Sequence, residues 1–285
     1  MNNSNHRLIE TTSIGSIALE KLSKDQDARV SGRTSKGIFI QTPAKWLVFL
    51  SFEKFKGPLT ITLDKLDPIL QLVSGGDPVR IASQSIFLPS LDTRIPIADS
   101  AVWQPPPPPA PRLAGPESHG AGLGDLIPPL LGLPNTRPPL ETINQIDWAY
   151  IQQLQNCIRN REAAPLARLL STILGSGPGL TPSADDFIVG LLLALNRWQF
   201  PLWPAGSLTD LNHQIVDAAY EKTTTLSANL IECAALKLAD ERLINALDWI
   251  VTGVAREPQI IAHLLGWGNS SGAYTFTGMA ATLTA

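Results

Sequence analysis

A run of five consecutive prolines at residues 105–109 restricts this chain's fold more than any other feature. Twelve of the 24 prolines lie between residues 101 and 140. Proline has no N–H to donate and its φ is fixed, so such a stretch can neither continue a helix nor pair within a sheet, and it favours polyproline II. We therefore expect residues 104–140 to be a proline-rich linker on the surface; an SH3-type ligand is the alternative interpretation.

The residues before this linker are typical of short strands. The runs 38–40, 46–50, 79–81 and 86–88 are rich in β-branched or aromatic residues, and residues 59–63 alternate apolar with polar side chains. Turn residues separate these runs, which leaves little room for crossover helices. The pattern predicts a β-rich N-terminal domain over residues 1–103, either a small barrel or an antiparallel sheet.

The apolar spacing becomes helical from residue 141 onward. Ile143, Ile146, Tyr150 and Leu154 follow one another at intervals of three and four residues, which is the spacing of one helix face. We therefore predict an all-α C-terminal domain over residues 141–285, and an α+β fold for the chain as a whole.

Composition excludes several functional classes. The net charge is −3 and the isoelectric point is near 5.8, which argues against a nucleic-acid-binding protein. Cys157 and Cys233 are too few and too far apart for a disulfide framework or a zinc ribbon. The first residues lack the apolar core of a signal peptide, and the longest apolar run, 187–195, is too short to span a membrane. We expect a cytoplasmic protein that binds neither nucleic acid nor membrane.

The most informative motif is a glycine-rich loop at residues 175–182 that leads into an apolar helix. Thr181 is a candidate N-cap with Pro182 at the first helical position, and the helix is expected to run to about Trp198. Alternating glycines can expose successive N–H groups, and a helix N-terminus favours anions, so the loop is a candidate anion site.

Asp185 and Asp186 lie next to each other in the first turn of this helix and would repel a bare anion. Three roles are compatible with the sequence. The carboxylates could bind a cation such as Mg²⁺ that bridges to the anion, or one could act as a general base or orient an amide NH₂. Alternatively, they could hydrogen-bond the N–H groups of their own loop and complement the helix dipole.

A second loop, residues 266–272, precedes the last helix and contains the pattern GxSxG. A nucleophile elbow would need a preceding strand and a later Asp and His, and neither condition is met, so a serine hydrolase is disfavoured. Shifting the sequence by 88 residues superposes the two loops and their helices, with Gly190 on Gly278. This weak repeat predicts two helices that pack through these glycines, with their N-termini at a shared pocket.

Residues 223–227, with the sequence TTTLS, are the third candidate segment. Threonine is a poor residue inside a helix and a good cap, so the segment is expected to separate a helix ending near Tyr220 from one starting at Ser227. The alternative is that these hydroxyl groups line the pocket.

These three segments, in this order, resemble the AllH-like family, whose namesake is a subunit of bacterial oxamate carbamoyltransferase. The family pattern is a GLTPSGDD-type loop, a TT-x-x-S-type segment and a GxSSG loop. The matching residues here are 179–186, 224–227 and 269–272. Two departures are visible: Ala184 replaces the usual glycine, and Tyr274 replaces a common acidic residue.

The resemblance implies a transferase role in ureide catabolism: a subunit of a carbamoyltransferase acting on oxamate or oxalurate with carbamoyl phosphate and phosphate, in a hetero-oligomer with other subunits. The alternative is a non-catalytic subunit that binds a small anion or nucleotide or serves assembly. The sequence does not identify a cofactor, and the Mg²⁺ considered above is the one candidate. The candidate catalytic residues are Asp185 and Asp186, and the candidate ligand-binding residues are Gly177, Gly179, Thr181, Ser183, Thr224, Thr225, Ser227, Asn269, Ser270, Ser271 and Gly272.

Overall fold

A computed structural model describes residues 7–64, 70, 72–109, 146–203, 208–253 and 259–285. The chain divides into two compact units, Met1–Pro105 and Pro106–Ala285. Strands build the first unit and helices the second, so the predicted α+β fold is confirmed. Most of the predicted linker, from residue 110 onward, and Ile143 lie outside the described residues.

The first unit is a sheet of ten short strands with one short helix, α1 (Ser16–Lys21), after the second strand. The five predicted runs correspond to β4–β8. The strands are β1 (Arg7–Leu8), β2 (Thr11–Gly15), β3 (Gln26–Thr34), β4 (Gly37–Gln41), β5 (Leu47–Ser51), β6 (Thr60–Leu63), β7 (Pro78–Ala82), β8 (Ser85–Leu88), β9 (Thr93–Pro96) and β10 (Ala101–Trp103).

The sheet has the strand order β1-β9-β8-β7-β3-β4-β5-β6-β2-β10. Most neighbouring strands are antiparallel, but β1–β9, β2–β10 and β5–β6 are parallel pairs. The sheet is thus mixed, rather than purely antiparallel as the short turns suggested. The stretch between β5 and β6 is long enough to bring β6 back alongside β5 in the same direction.

Alternation along the strands places one row of side chains in the core of this unit. Ile38 and Ile40 of β4 and Val48 and Leu50 of β5 are buried. Phe39, between the two isoleucines, lies on the opposite face of the sheet and stacks on Phe49 with 4.6 Å between the ring centres. This is the period of two that a strand imposes on its side chains.

The second unit contains nine helices in its described part. None of them combines the length and apolarity that a membrane crossing requires. They are α2 (Trp148–Asn160), α3 (Ala163–Ile173), α4 (Ser183–Arg197), α5 (Gln199–Leu202), α6 (Thr209–Lys222), α7 (Thr225–Ala235), α8 (Glu241–Thr252), α9 (Ile260–Leu265) and α10 (Ser271–Leu283).

Helix α4 is the centre of this unit, and all of its residues are buried. Its closest neighbour is α10. A Cβ atom at Gly190 would overlap the carbonyl oxygen of Thr275, and one at Gly278 would overlap that of Phe187. The two glycines therefore let the helix backbones touch, as the 88-residue repeat predicted.

A buried ion pair links the C-terminal end of α4 to α8. The Arg197 guanidinium donates two hydrogen bonds to the carboxylate of Asp248 on α8, each 2.7 Å long. It donates a third, 2.9 Å long, to the carbonyl oxygen of Pro106. Such a planar, two-pronged contact satisfies most of the donors of a buried arginine.

Candidate functional site

The glycine-rich loop between α3 and α4 folds back onto the start of α4. The N–H of Ala184 donates to the carbonyl oxygen of Ser176, 3.0 Å away. Gly177 has a φ of +107°, and a Cβ atom there would lie 2.9 Å from the backbone nitrogen of Ser183. Only glycine fits this position without strain, so the glycine is required for the tight return of the chain.

Helix α4 starts one residue later than predicted. Its N-cap is Pro182 rather than Thr181, and Ser183 is its first residue. The N–H groups of Asp185 and Asp186 both donate to the carbonyl oxygen of Pro182. The side chain of Thr181 is therefore not used as a cap, and it contacts other groups of the site.

Asp185 binds its own loop and the neighbouring helix connection. Its carboxylate accepts a 2.8 Å hydrogen bond from the N–H of Gly175 and another from the hydroxyl of Thr223. Burial raises the pKa of Asp185, whereas the Gly175 N–H and the hydroxyls of Thr223 and Ser227 lower it. These hydrogen bonds are the contacts that the structural role, one of the three that the sequence allowed, predicts for Asp185.

Asp186 has a different environment, although it is also only 1% exposed. Its Oδ2 accepts a 3.2 Å hydrogen bond from the Thr181 hydroxyl, while its Oδ1 is buried without a hydrogen-bond partner in the described part of the chain. Burial raises the pKa of Asp186 to about 7, with a smaller contribution from the charge of Asp185. The hydroxyls of Ser271 and Thr181 lower it.

The threonine segment lies between α6 and α7 and contacts the loop at two points. Thr224 is the N-cap of α7, because its hydroxyl accepts from the N–H of Ser227 at 3.2 Å. The same hydroxyl donates to the carbonyl oxygen of Leu180 at 3.0 Å. The capping role is confirmed, with α7 starting at Thr225 rather than Ser227. Thr225 is half-buried in its first turn.

Ser227 is more deeply buried than Thr224, the N-cap of α7. Its Oγ is buried, and no hydrogen-bond partner for it is found among the described residues. The hydroxyl is nevertheless close enough to Asp185 to lower the pKa of that carboxyl. Ser227 therefore lies beside the carboxyl group of Asp185.

The second loop brings the start of α10 to the same place. Ser271 Oγ lies 3.1 Å from Thr181 Oγ1, so the two hydroxyls hydrogen-bond across 90 positions of sequence. Gly272 is buried, and a Cβ atom there would overlap the carbonyl oxygen of Leu264. Asn269 and Ser270 are exposed.

The structure thus brings the three predicted segments together around two buried carboxyl groups. Asp185, Asp186, Thr181, Ser227 and Ser271 form the buried and half-buried part of this cluster. Of the other predicted residues, Ser183 and Gly272 are buried and Thr225 is half-buried, whereas the exposed ones are Gly177, Gly179, Thr224, Asn269 and Ser270.

One residue of the third candidate segment, Thr223, was not among the candidate ligand-binding residues. Thr223 lies beside the predicted Thr224 and Thr225, but its hydroxyl is the one that binds Asp185. Nothing in the local sequence separates the three threonines, because only the path of the backbone after α6 decides which of them faces α4.

The geometry of the site bears on whether the acidic pair could bind a cation such as Mg²⁺. No group of three or more His, Cys, Asp or Glu side chains that could hold a metal occurs within the residues that the structure describes. Both oxygens of Asp185 already accept hydrogen bonds. Among the four carboxylate oxygens of the pair, Asp186 Oδ1 is the one that accepts no hydrogen bond from the residues that the structure describes.

The loop itself offers hydrogen-bond donors. Gly177 and Gly179 are exposed, and their N–H groups make no hydrogen bond with any described residue. They lie beside the N-terminus of α4, whose dipole favours negative charge.

The sequence of these segments is similar to that of a known family. The family model described as "Oxamate carbamoyltransferase subunit AllH" matches residues 173–283. The resemblance is confirmed over that segment. The AllH match begins at the last residue of α3, contains all three motifs and ends with α10. No solved structure gives a significant match to the chain.

Proposed function

We propose that this chain is a subunit of a carbamoyltransferase-type enzyme that acts on oxamate, oxalurate or a related small ureide with carbamoyl phosphate and phosphate. The observation that carries the proposal is the buried, unpartnered Oδ1 of Asp186 next to a loop with exposed N–H groups. The AllH match over the same residues supports the reaction class.

The chemistry requires both features of the site. In carbamoyl transfer, the amide nitrogen of the acceptor attacks the carbonyl carbon of carbamoyl phosphate. The C–O bond to phosphate breaks, phosphate leaves with the electron pair, and the nitrogen loses a proton. Asp186 Oδ1 would accept the substrate N–H and take that proton, because a base with a pKa near 7 suits proton transfer at neutral pH.

The anionic end of the substrate would bind at the loop. The N–H groups of Gly177 and Gly179 would hold its phosphoryl or carboxylate oxygens, assisted by the N-terminus of α4. Asp185 keeps the loop in place through Gly175 and would not itself touch substrate. Catalysis would then come mainly from positioning and electrostatic stabilisation.

The name of the matched family describes a subunit, so we propose that the active enzyme is a cytoplasmic hetero-oligomer with other carbamoyltransferase subunits. Leu180, at the tip of the glycine loop, is 70% exposed, an unusual position for a large apolar side chain. A partner subunit that covers this tip would bury the side chain and exclude water from the substrate.

Binding of matched ligand pairs tests this function. Oxamate and oxalate differ by an NH₂ group in place of an oxygen, as carbamoyl phosphate and acetyl phosphate differ by NH₂ in place of CH₃. At pH 8 we expect the chain to bind the NH₂ member of each pair more tightly in calorimetric titrations. The preference should disappear in Asp186→Asn and persist in Asp217→Asn, which removes an exposed carboxylate on α6.

The outcomes separate the candidate functions. Equal binding of both members of each pair would refute recognition of the amide by Asp186. Binding of phosphate or nucleotides without any preference for NH₂ would favour the non-catalytic anion-binding or assembly subunit. A thermal shift accompanies the titrations, since a ligand at about 100 times its Kd stabilises the folded state by about 2.7 kcal/mol.

A further inference from the structure

Two hydroxyl groups connect α10 to the acid–base group of α4. Thr181 Oγ1 donates to Asp186 Oδ2 at 3.2 Å, and Ser271 Oγ lies 3.1 Å from Thr181 Oγ1. A hydroxyl has one proton to donate. Because the Thr181 proton points to the carboxylate, we assign Ser271 as the donor of the hydrogen bond between the two hydroxyls. The assigned series of hydrogen bonds runs from Ser271 through Thr181 to Asp186.

The series of hydrogen bonds from Ser271 through Thr181 gives the two carboxylate oxygens of Asp186 different environments. Oδ2 receives a hydrogen bond whose donor is itself polarised by Ser271, while Oδ1 is buried and has no partner in the described part of the protein. Hydrogen bonds in series strengthen one another in a low-dielectric interior. Donation to a carboxylate favours its charged form, which is the form that accepts hydrogen bonds from a substrate.

We propose that Thr181 and Ser271 are positioning residues that keep Asp186 a charged hydrogen-bond acceptor, with Oδ1 reserved for the amide N–H of the substrate. The proposal rests on the proposed function for the identity of the substrate. The direction of the hydroxyl chain is a property of the protein alone. It gives separate tasks to two side chains that the sequence suggested only as ligand-binding residues.

The remaining charges around Asp186 do not supply the same effect. Asp185 on the same helix opposes ionisation. Of the helices packed against α4, α10 carries Tyr274 as its titratable group, α7 carries Glu232 and Cys233, α3 carries Arg168, and α5 carries none. Burial and Asp185 raise the pKa of Asp186 to about 7, and the hydroxyls of Ser271 and Thr181 lower it.

Thr181→Val tests the proposal because valine keeps the shape and removes the hydroxyl. Loss of one hydrogen bond to a carboxylate is expected to raise the pKa of Asp186 by about one unit, from about 7 to about 8. The carboxylate fraction at pH 7 then falls about fivefold, and so does the affinity for oxamate, whereas at pH 9 the two proteins should differ by less than about twofold.

The control variants distinguish a specific effect on the Asp186 pKa from general damage to the fold. Ser271→Ala should act in the same direction as Thr181→Val, because the Ser271 hydroxyl also lowers the pKa of Asp186, and Thr181→Ser should restore the affinity at pH 7. A lesion in the fold would weaken oxamate binding equally at pH 7 and pH 9. Equal loss at both pH values, or no loss at pH 7, would overturn the proposal.

A second measurement needs no ligand, so it separates this inference from the proposed function. The free energy of unfolding of the full chain is compared with that of Asp186→Asn across pH 5–10. The difference falls with rising pH and becomes constant above the pKa that Asp186 has in the folded state, so the pH at which it levels off reports that pKa. This pH should lie about one unit higher in the Thr181→Val background. An unchanged levelling-off pH refutes the inference, whereas absence of oxamate binding by the wild-type chain counts against the proposed function.

Discussion

Replacing Asp186 by asparagine is expected to stabilise the protein at alkaline pH. Burial raises the pKa of this carboxyl from 3.8 to about 7, so the folded state holds its proton over a range in which the unfolded state has lost it. Wherever the folded state binds more protons, the stability falls as the pH rises. The wild type therefore loses stability between about pH 4 and pH 7, and the loss is complete above the folded pKa.

The magnitude follows from the size of the shift. A rise from 3.8 to about 7 corresponds to about 4 kcal/mol at high pH, because each pKa unit is worth about 1.36 kcal/mol. About 2.5 kcal/mol of this change falls between pH 5 and pH 8. Asparagine has no charge to bury and keeps an oxygen that can accept from Thr181. Its buried NH₂ costs about 1–3 kcal/mol at every pH, which offsets part of the gain.

Urea unfolding of the wild type and of Asp186→Asn at several pH values measures this effect. Five of the seven tryptophans lie in the helical unit, so intrinsic fluorescence reports its unfolding. The free energy of unfolding of the wild type should fall by about 2.5 kcal/mol relative to the variant from pH 5 to pH 8. Asp217→Asn, which changes an exposed carboxylate of the same unit, should run parallel to the wild type.

A constant difference between the wild type and Asp186→Asn across this pH range would refute the reasoning. It would mean that Asp186 ionises in the folded state as easily as in the unfolded chain, and hence that water or another group reaches Oδ1. Increased stability together with lost ligand binding would instead be typical of a functional site, where an unfavourable arrangement is retained for activity.

Two further predictions concern the packing of the helical unit. Gly190→Ala should lower the free energy of unfolding of the helical unit by about 1–3 kcal/mol or more in urea titrations, because a methyl group there meets the carbonyl of Thr275. Gly32→Ala, where a Cβ atom meets nothing, is the control. Equal stability of the two variants would contradict the contact between Gly190 and Thr275. Asp248→Ala should cost about 3–5 kcal/mol, because it leaves the buried charge of Arg197 unpaired; a cost below about 1 kcal/mol in the same titrations would show that this arginine is solvated.

The features carried by local sequence could be predicted most closely. The start of α4 was placed within one residue because a glycine-rich loop precedes an uninterrupted apolar run, and the Gly190–Gly278 contact followed from the 88-residue repeat. Strand β3 was missed because its exposed positions carry charged residues such as Asp27 and Arg29, and only Val30 is fully buried.

Features that depend on distant parts of the chain could not be predicted. The parallel pairing of β5 with β6 depends on the path of the intervening segment rather than on either strand. Likewise, the adjacent residues Asp185 and Asp186 differ because Thr223 reaches one carboxylate and Thr181 the other. The sequence therefore indicated the members of the site without assigning their separate tasks.

The crossing of α4 and α10 also sets the dimensions of the site. Gly190 lies one helical turn beyond Asp186, and Ser271 lies one turn before Thr275, so the backbone contact sits immediately below the hydroxyl chain. A hydrogen bond tolerates a lengthening of only about 0.5 Å, less than any side chain at the crossing would impose. The distance between α4 and α10 at the crossing therefore also sets the hydrogen-bond distances between the two halves of the site. A methyl group placed at the crossing would push the helices apart and break a hydrogen bond at Asp186.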